Sequence, residues 1–141
     1  MTAGKGEYRV LRQLVNGDTL RILSREITPV PLPDSISKIV RTRMAQGTVL
    51  GEASPPEAFP VISSLHPAQD GTLWVRRRVG VDSYLFEVFD AEGRFLGSPR
   101  FDDSIDLQRF RVQVVGRDAL YGTVRDEMGV ERVLRLRVKK P

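Results

Sequence analysis

Apolar and polar side chains alternate one for one through most of this chain, the period of a strand with one buried face. The run over residues 130–139 is the plainest: Leu134, Leu136 and Val138 share one face, and Arg135, Arg137 and Lys139 share the other. Phe110, Val112 and Val114 alternate with Arg109, Arg111 and Gln113 in the same way. Over residues 84–89 both sets are largely apolar, with Phe86 and Phe89 as the large members, so this strand is predicted to lie between two layers. Further strands are predicted at 7–13, 18–25, 59–65, 72–79, 94–99 and 119–125.

Turn chemistry joins these strands into hairpins. Asn16-Gly17, Asp70-Gly71, Glu92-Gly93 and Met128-Gly129 each supply a glycine where a tight antiparallel connection needs positive φ, and Gly116-Arg117-Asp118 reads as another such turn. Connections this short leave no room for parallel crossovers, so the predicted class is all-β with antiparallel meanders. One segment breaks the rhythm. Pro29, Pro31 and Pro33 end the second strand, and Asp34 stands at an N-cap position ahead of Ile36, Ile39, Val40 and Met44 at helical spacing. This predicts one short helix over residues 35–45, followed by a loop through Pro55-Pro56.

Composition narrows the class little. With 40% hydrophobic and 28% charged residues the chain is in the globular range, and no apolar run reaches the roughly 18 residues that a bilayer crossing needs. The first residues lack the apolar core of a secretory signal and read as a disordered start over 1–6. Cysteine is absent, which excludes disulfides, thiolate metal sites and a cysteine nucleophile. The net charge of +4 invites a nucleic-acid reading, but the basic residues are spread along the chain among 18 acids, and this argues against a phosphate-binding face.

The turn signals recur with a period near 40 residues, each unit reading strand, Asp-Gly turn, strand, short loop, strand, Glu-Gly turn, strand, which is the cadence of propeller blades. Residues 59–100 hold one full unit, with Asp70-Gly71-Thr72-Leu73-Trp74-Val75 and Phe86-Glu87-Val88-Phe89-Asp90 followed by Glu92-Gly93-Arg94-Phe95-Leu96-Gly97. That string resembles a blade of the six-bladed β-propeller family of bacterial secreted proteins and lipoproteins, relatives of NHL-repeat propellers. The resemblance implies about two and a half blades: a half blade over 7–25, a linker with the helix over 26–58, a full blade over 59–100, and a last blade of three strands over 101–141. It also implies a periplasmic, secreted or lipoprotein setting, although this chain shows no signal peptide. Self-association through open blade edges is a further expectation, because a propeller otherwise removes its edges by closing on itself.

Candidate chemistry is sparse. Asp102, Asp103 and Asp106 form the densest acidic cluster and could offer oxygen ligands to calcium, but they lack the glycine and distal glutamate of an EF-hand loop. A solvated loop is the simpler reading, so no metal and no cofactor is expected. His66 is the only histidine and has no His-x-His or His-Glu pairing, which reads as a turn or surface residue. Arg76, Arg77 and Arg78 follow Trp74, and alternation sends Arg77 to the opposite face. Trp74, Phe86 and Phe89 read as structural packing residues, and Gly71 and Gly93 as structural turn residues. There is no Gly-x-Ser-x-Gly elbow and no Gly-rich phosphate loop. The expected function is a non-catalytic binding module whose ligand, protein or small molecule, the sequence leaves open. The alternative is a fragment of a metal-dependent, lactonase-like propeller hydrolase.

Overall fold

The computed structural model describes residues 6–48, 56–101, 107 and 109–139. Among the described residues strands dominate, all pairings are antiparallel, and there is one short α-helix. The unstructured start expected over 1–6 lies outside the described residues except for Gly6, which opens the first strand.

Sheet 1 is a two-stranded hairpin of β1 (Gly6–Gln13) and β2 (Thr19–Ile27). The proline segment then leads to α1 (Asp34–Arg43) and a π-helical turn, Met44–Thr48. Pro33, not Asp34, caps this helix: its carbonyl accepts from the amides of Ile36 and Ser37, while Asp34 lies inside the first turn and favours the positive helix end from there. The helix has no buried residue, so its apolar side covers neither neighbouring sheet.

Sheet 2 is a meander of β3 (Ile62–Pro67), β4 (Leu73–Arg78), β5 (Tyr84–Phe89) and β6 (Phe95–Gly97). Its first strand starts three residues later than the alternation predicts. The Phe59 amide is already bonded to the Val30 carbonyl, and Pro31 bridges Ala58, which holds this stretch against the proline segment. Sheet 3 has β8 (Phe110–Val115), β9 (Ala119–Arg125) and β10 (Glu131–Lys139) in sequence order. A fourth strand, the two-residue β7 (Arg100–Phe101), pairs with the end of β10 through Phe101 opposite Val138, where only three strands are expected. Two residues carry no readable period, which is why alternation misses it.

The three sheets lie in layers. Alternation along β4 and β5 sends Trp74, Phe86 and Val88 toward sheet 3, where they meet Phe110, Val115, Leu120 and Leu136. It sends Val75 and Phe89 toward sheet 1, where they meet Tyr8, Leu23 and Ile27. Each meander therefore shields the apolar side of the next. Burying a side chain of this size contributes roughly 1.5–3 kcal/mol, so the two interlayer clusters, and not strand propensity, hold the layers together.

Four hairpins close with one and the same turn. The amide of the first residue bonds the carbonyl four residues on, and the amide of a positive-φ glycine bonds back to the first carbonyl. The first residues are Leu14, Ala68, Asp90 and Asp126, and the glycines Gly17, Gly71, Gly93 and Gly129. This is a type I turn followed by a left-handed glycine, whose extra twist matches that of the flanking strands. In the last two copies the aspartate itself completes the turn. Oδ1 of Asp90 accepts from the amides of Glu92 and Arg94, and Oδ1 of Asp126 accepts from those of Met128 and Val130.

Candidate functional site

Placing β5 between two layers leaves one charged residue, Glu87, with no route to solvent; it is 1% exposed. A carboxylate in that position must be paired or it unfolds the region. The alternation that puts Phe86 and Val88 on the sheet 3 side turns Glu87 toward sheet 1. There Tyr8 of β1 donates its hydroxyl to Oε1 at 3.1 Å, Arg77 of the adjacent β4 donates to the same oxygen, and Arg25 of β2 pairs with Oε2. The Arg25 guanidinium also lies 3.6 Å over the Phe95 ring. Burial, followed by the nearby Glu87 charge, pushes the Tyr8 phenol well above its ordinary value, which keeps it a donor at neutral pH. With both oxygens engaged from two sheets, the cluster is an interlayer tie. Its chemistry is positional.

The three consecutive arginines divide as alternation requires. Arg77 serves Glu87, while Arg76 lies 4.4 Å over the Tyr84 ring and donates to the Leu107 carbonyl. Arg78 lies 4.2 Å over Phe59 and donates to the Tyr84 hydroxyl at 2.6 Å. Trp74 is buried with its ring edge-on to Phe86 at 5.8 Å, and its indole N–H donates to the Thr72 hydroxyl. Arg76 thus stacks on Tyr84, and Trp74 packs against a phenylalanine.

His66 is not a turn residue. It lies in β3, half-buried opposite Trp74, with Nε2 2.8 Å from the Ser64 hydroxyl and its ring edge-on to Phe86. Burial first and the Arg76 charge second hold its pKa below the ordinary value, so it is a neutral imidazole in a polar–aromatic seam. Asp102, Asp103 and Asp106 lie outside the described residues. Among the described residues no group of three or more metal-ligating side chains converges, and no helix is long and apolar enough to cross a membrane.

The outward side of sheet 3 is the surface that folding creates. Side chains there come from alternate positions on three strands: Arg109 and Arg111 on β8 and its entry, Tyr121, Thr123 and Arg125 on β9, and Glu131, Val133, Arg135 and Arg137 on β10. A bulge between Val112 and Val114 turns Val114 outward to join them, off the face that simple alternation gives it with Phe110. Register places Arg135 opposite Tyr121, Val133 opposite Thr123, and Glu131 opposite Arg125, which it pairs at 3.1 Å. All five arginines are exposed, as are Val133 and Tyr121. A basin of about 570 Å³ opens on this face between Arg109, Arg111, Arg125 and Glu131. Basic residues that are scattered along the sequence are therefore gathered by the fold onto one face.

The Glu87 cluster and this arginine face were both absent from the sequence reading as sites. The first had a signal: a strand placed between two layers and carrying one acid obliges a neighbouring strand to supply an arginine. The second needed the strand register, which alternation within single strands does not give. Comparison with known proteins finds no matching family model, no similar curated protein and no similar solved structure.

Proposed function

We propose that the chain is a non-catalytic binding module, built of propeller-type blades stacked face to face, with the outward side of sheet 3 as its contact surface. The observation that carries this reading is the convergence of five arginines around Tyr121 and Val133 on one exposed face. Arginine and tyrosine are the residue types enriched where proteins bind, because each couples a large apolar surface to a directed polar group. The blade reading is supported by the period of the four-stranded units and by the turn repeated at four hairpins. The buried acid is engaged from two layers and the lone histidine by Ser64 and Phe86 of its own sheet, so neither is offered to a substrate.

The competing reading is the metal-dependent propeller hydrolase. Titration with calcium and with manganese, followed by thermal unfolding, separates the two. A metal site would raise stability by about 2.7 kcal/mol at a hundredfold excess over its dissociation constant. The binding-module reading expects a melting temperature unchanged to within about 1 °C, well below the several degrees such a gain produces. A saturable rise, accompanied by chelator-sensitive hydrolysis of a lactone, would overturn it.

A further inference from the structure

The two ends of the layered stack present opposite surfaces. At one end, the outward side of sheet 1 carries Leu11, Leu20 and Ile22, which are 54%, 52% and 57% exposed although Leu11 and Ile22 are direct cross-strand partners. Beside them Glu7 stands directly opposite Glu26, a like-charged pair that destabilises a hairpin unless a cation is shared. Arg9 reaches only one of the two, holding Glu7 at 3.3 Å. At the other end, the outward side of sheet 3 carries five arginines with Glu131 among them and Asp126 and Glu127 at its turn end, a net positive face, together with exposed Val114, Tyr121 and Val133. Each end is thus half apolar and half charged, with opposite signs of charge.

From this complementarity we infer that the partner of the arginine face is the outward side of sheet 1 in a second copy of the same chain, joined head to tail. The inference rests on the reading of that face as a contact surface. The chain already contains a junction of the same kind. Between sheets 1 and 2 an acid is held by arginines from both layers, beside an apolar cluster of Tyr8, Leu23, Val75 and Phe89. In the intermolecular junction Glu7 and Glu26 take the place of the acid, and Arg135 and Arg137 that of the arginines. Leu11, Leu20 and Ile22 meet Tyr121, Val133 and Val114.

Size sets the strength. A two-stranded face of eight or nine residues is about 26–30 Å long and roughly 10 Å wide, about 600 Å² over the two copies, which is about half the roughly 1,200 Å² lower bound of stable interfaces. Association should therefore be weak and rise with protein concentration. A head-to-tail contact uses different surfaces on the two copies, so it builds rings or open arrays instead of stopping at a symmetric dimer.

This geometry has a decisive test. Glu7→Lys with Glu26→Lys blocks one end, and Arg135→Glu with Arg137→Glu blocks the other; all four side chains are exposed, so both doubly substituted chains should fold with near-native circular dichroism. Light scattering at about 100 µM should find wild type larger than monomer and each variant alone monomeric. An equimolar mixture should assemble again, because each variant keeps the end that the other lacks and the two altered ends, lysines against glutamates, are themselves complementary. Either variant assembling like wild type, or a mixture that stays monomeric, overturns the inference. A monomeric wild type overturns it too, and a heparin column then locates the failure. Retention lost on Arg135→Glu with Arg137→Glu would leave the contact face standing with a polyanion as partner. Retention independent of those arginines would sink the contact face as well.

Discussion

Replacing Glu87 by glutamine tests the interlayer tie directly. The substitution keeps shape and volume but removes the charge and turns an amide N–H₂ toward either Arg25 or Arg77. Tyr8 and Arg77 donate hydrogen bonds to the native carboxylate and Arg25 pairs with it by charge, and each hydrogen bond to a buried charge is worth about 1.5–3 kcal/mol. Arg25 is a third exposed and Arg77 15% exposed, so both guanidinium groups regain part of their hydration once released. Discounting for that recovery leaves an expected loss of about 3 kcal/mol, at the low end for breaking one side of a buried pair. Urea unfolding followed by Trp74 fluorescence should show this as a midpoint lowered by roughly 1.5 M, for a slope of about 2 kcal/mol per molar. Tyr8→Phe, which removes one donor and leaves the ion pairs, should cost only about 1 kcal/mol. Combining the two should fall short of additivity by at least about 0.5 kcal/mol, as for residues in one network. A Glu87→Gln midpoint that shifts by less than about 0.25 M would refute the reasoning, since the carboxylate would then contribute no more than a surface group.

Other expectations follow from single contacts. His66 has its pKa depressed in the folded chain, so the stability it contributes is complete above the unfolded value near 6.5 and declines as pH falls through the folded pKa. His66→Gln should therefore flatten the stability profile between pH 6.5 and 5, and equal acid slopes in the two proteins would contradict the burial argument. Gly122 and Gly129 separate two reasons for glycine. A methyl at Gly122 would strike the Arg111 carbonyl and come within 2.6 Å of Phe110, so Gly122→Ala should cost about 2–3 kcal/mol by chemical denaturation. At Gly129 nothing lies within 4 Å but φ is +80°, so Gly129→Ala should cost only the backbone strain of about 1–2 kcal/mol. Equal losses at the two positions would be inconsistent with this division.

Much of the fold was legible because its driving pattern is local. Period-two alternation located the main strands, and Gly17, Gly71, Gly93 and Gly129 marked the hairpin turns, each by its own chemistry. The both-sides-apolar strand at Tyr84–Phe89 was read as lying between layers, and it does. What escaped was set by contacts across long sequence separations. β7 is only two residues long, and it exists because Phe101 finds Val138 at the far end of sheet 3. The start of β3 was displaced by the Phe59–Val30 bond to the proline segment. At the level of sites, alternation correctly put Arg77 opposite Arg76 and Arg78, but it could not say that Tyr8, 79 residues before Glu87, would meet it. His66 looked solvated for the same reason, since its neighbour Phe86 comes from a different strand.

Four hairpins closed by one recurring turn bear on the order in which the chain acquires structure. Each such closure joins residues only four apart and proceeds in about 1–10 µs, without waiting for any other part of the molecule. The layers, in contrast, meet through pairs as distant as Tyr8 and Glu87, where the entropy of closing a long loop slows the encounter. The hairpins therefore form early as separate ribbons, and Glu87 remains hydrated until sheet 1 docks over it. A carboxylate that must shed water at that step leads us to expect docking as the slow event of folding and, in reverse, the first seam to open.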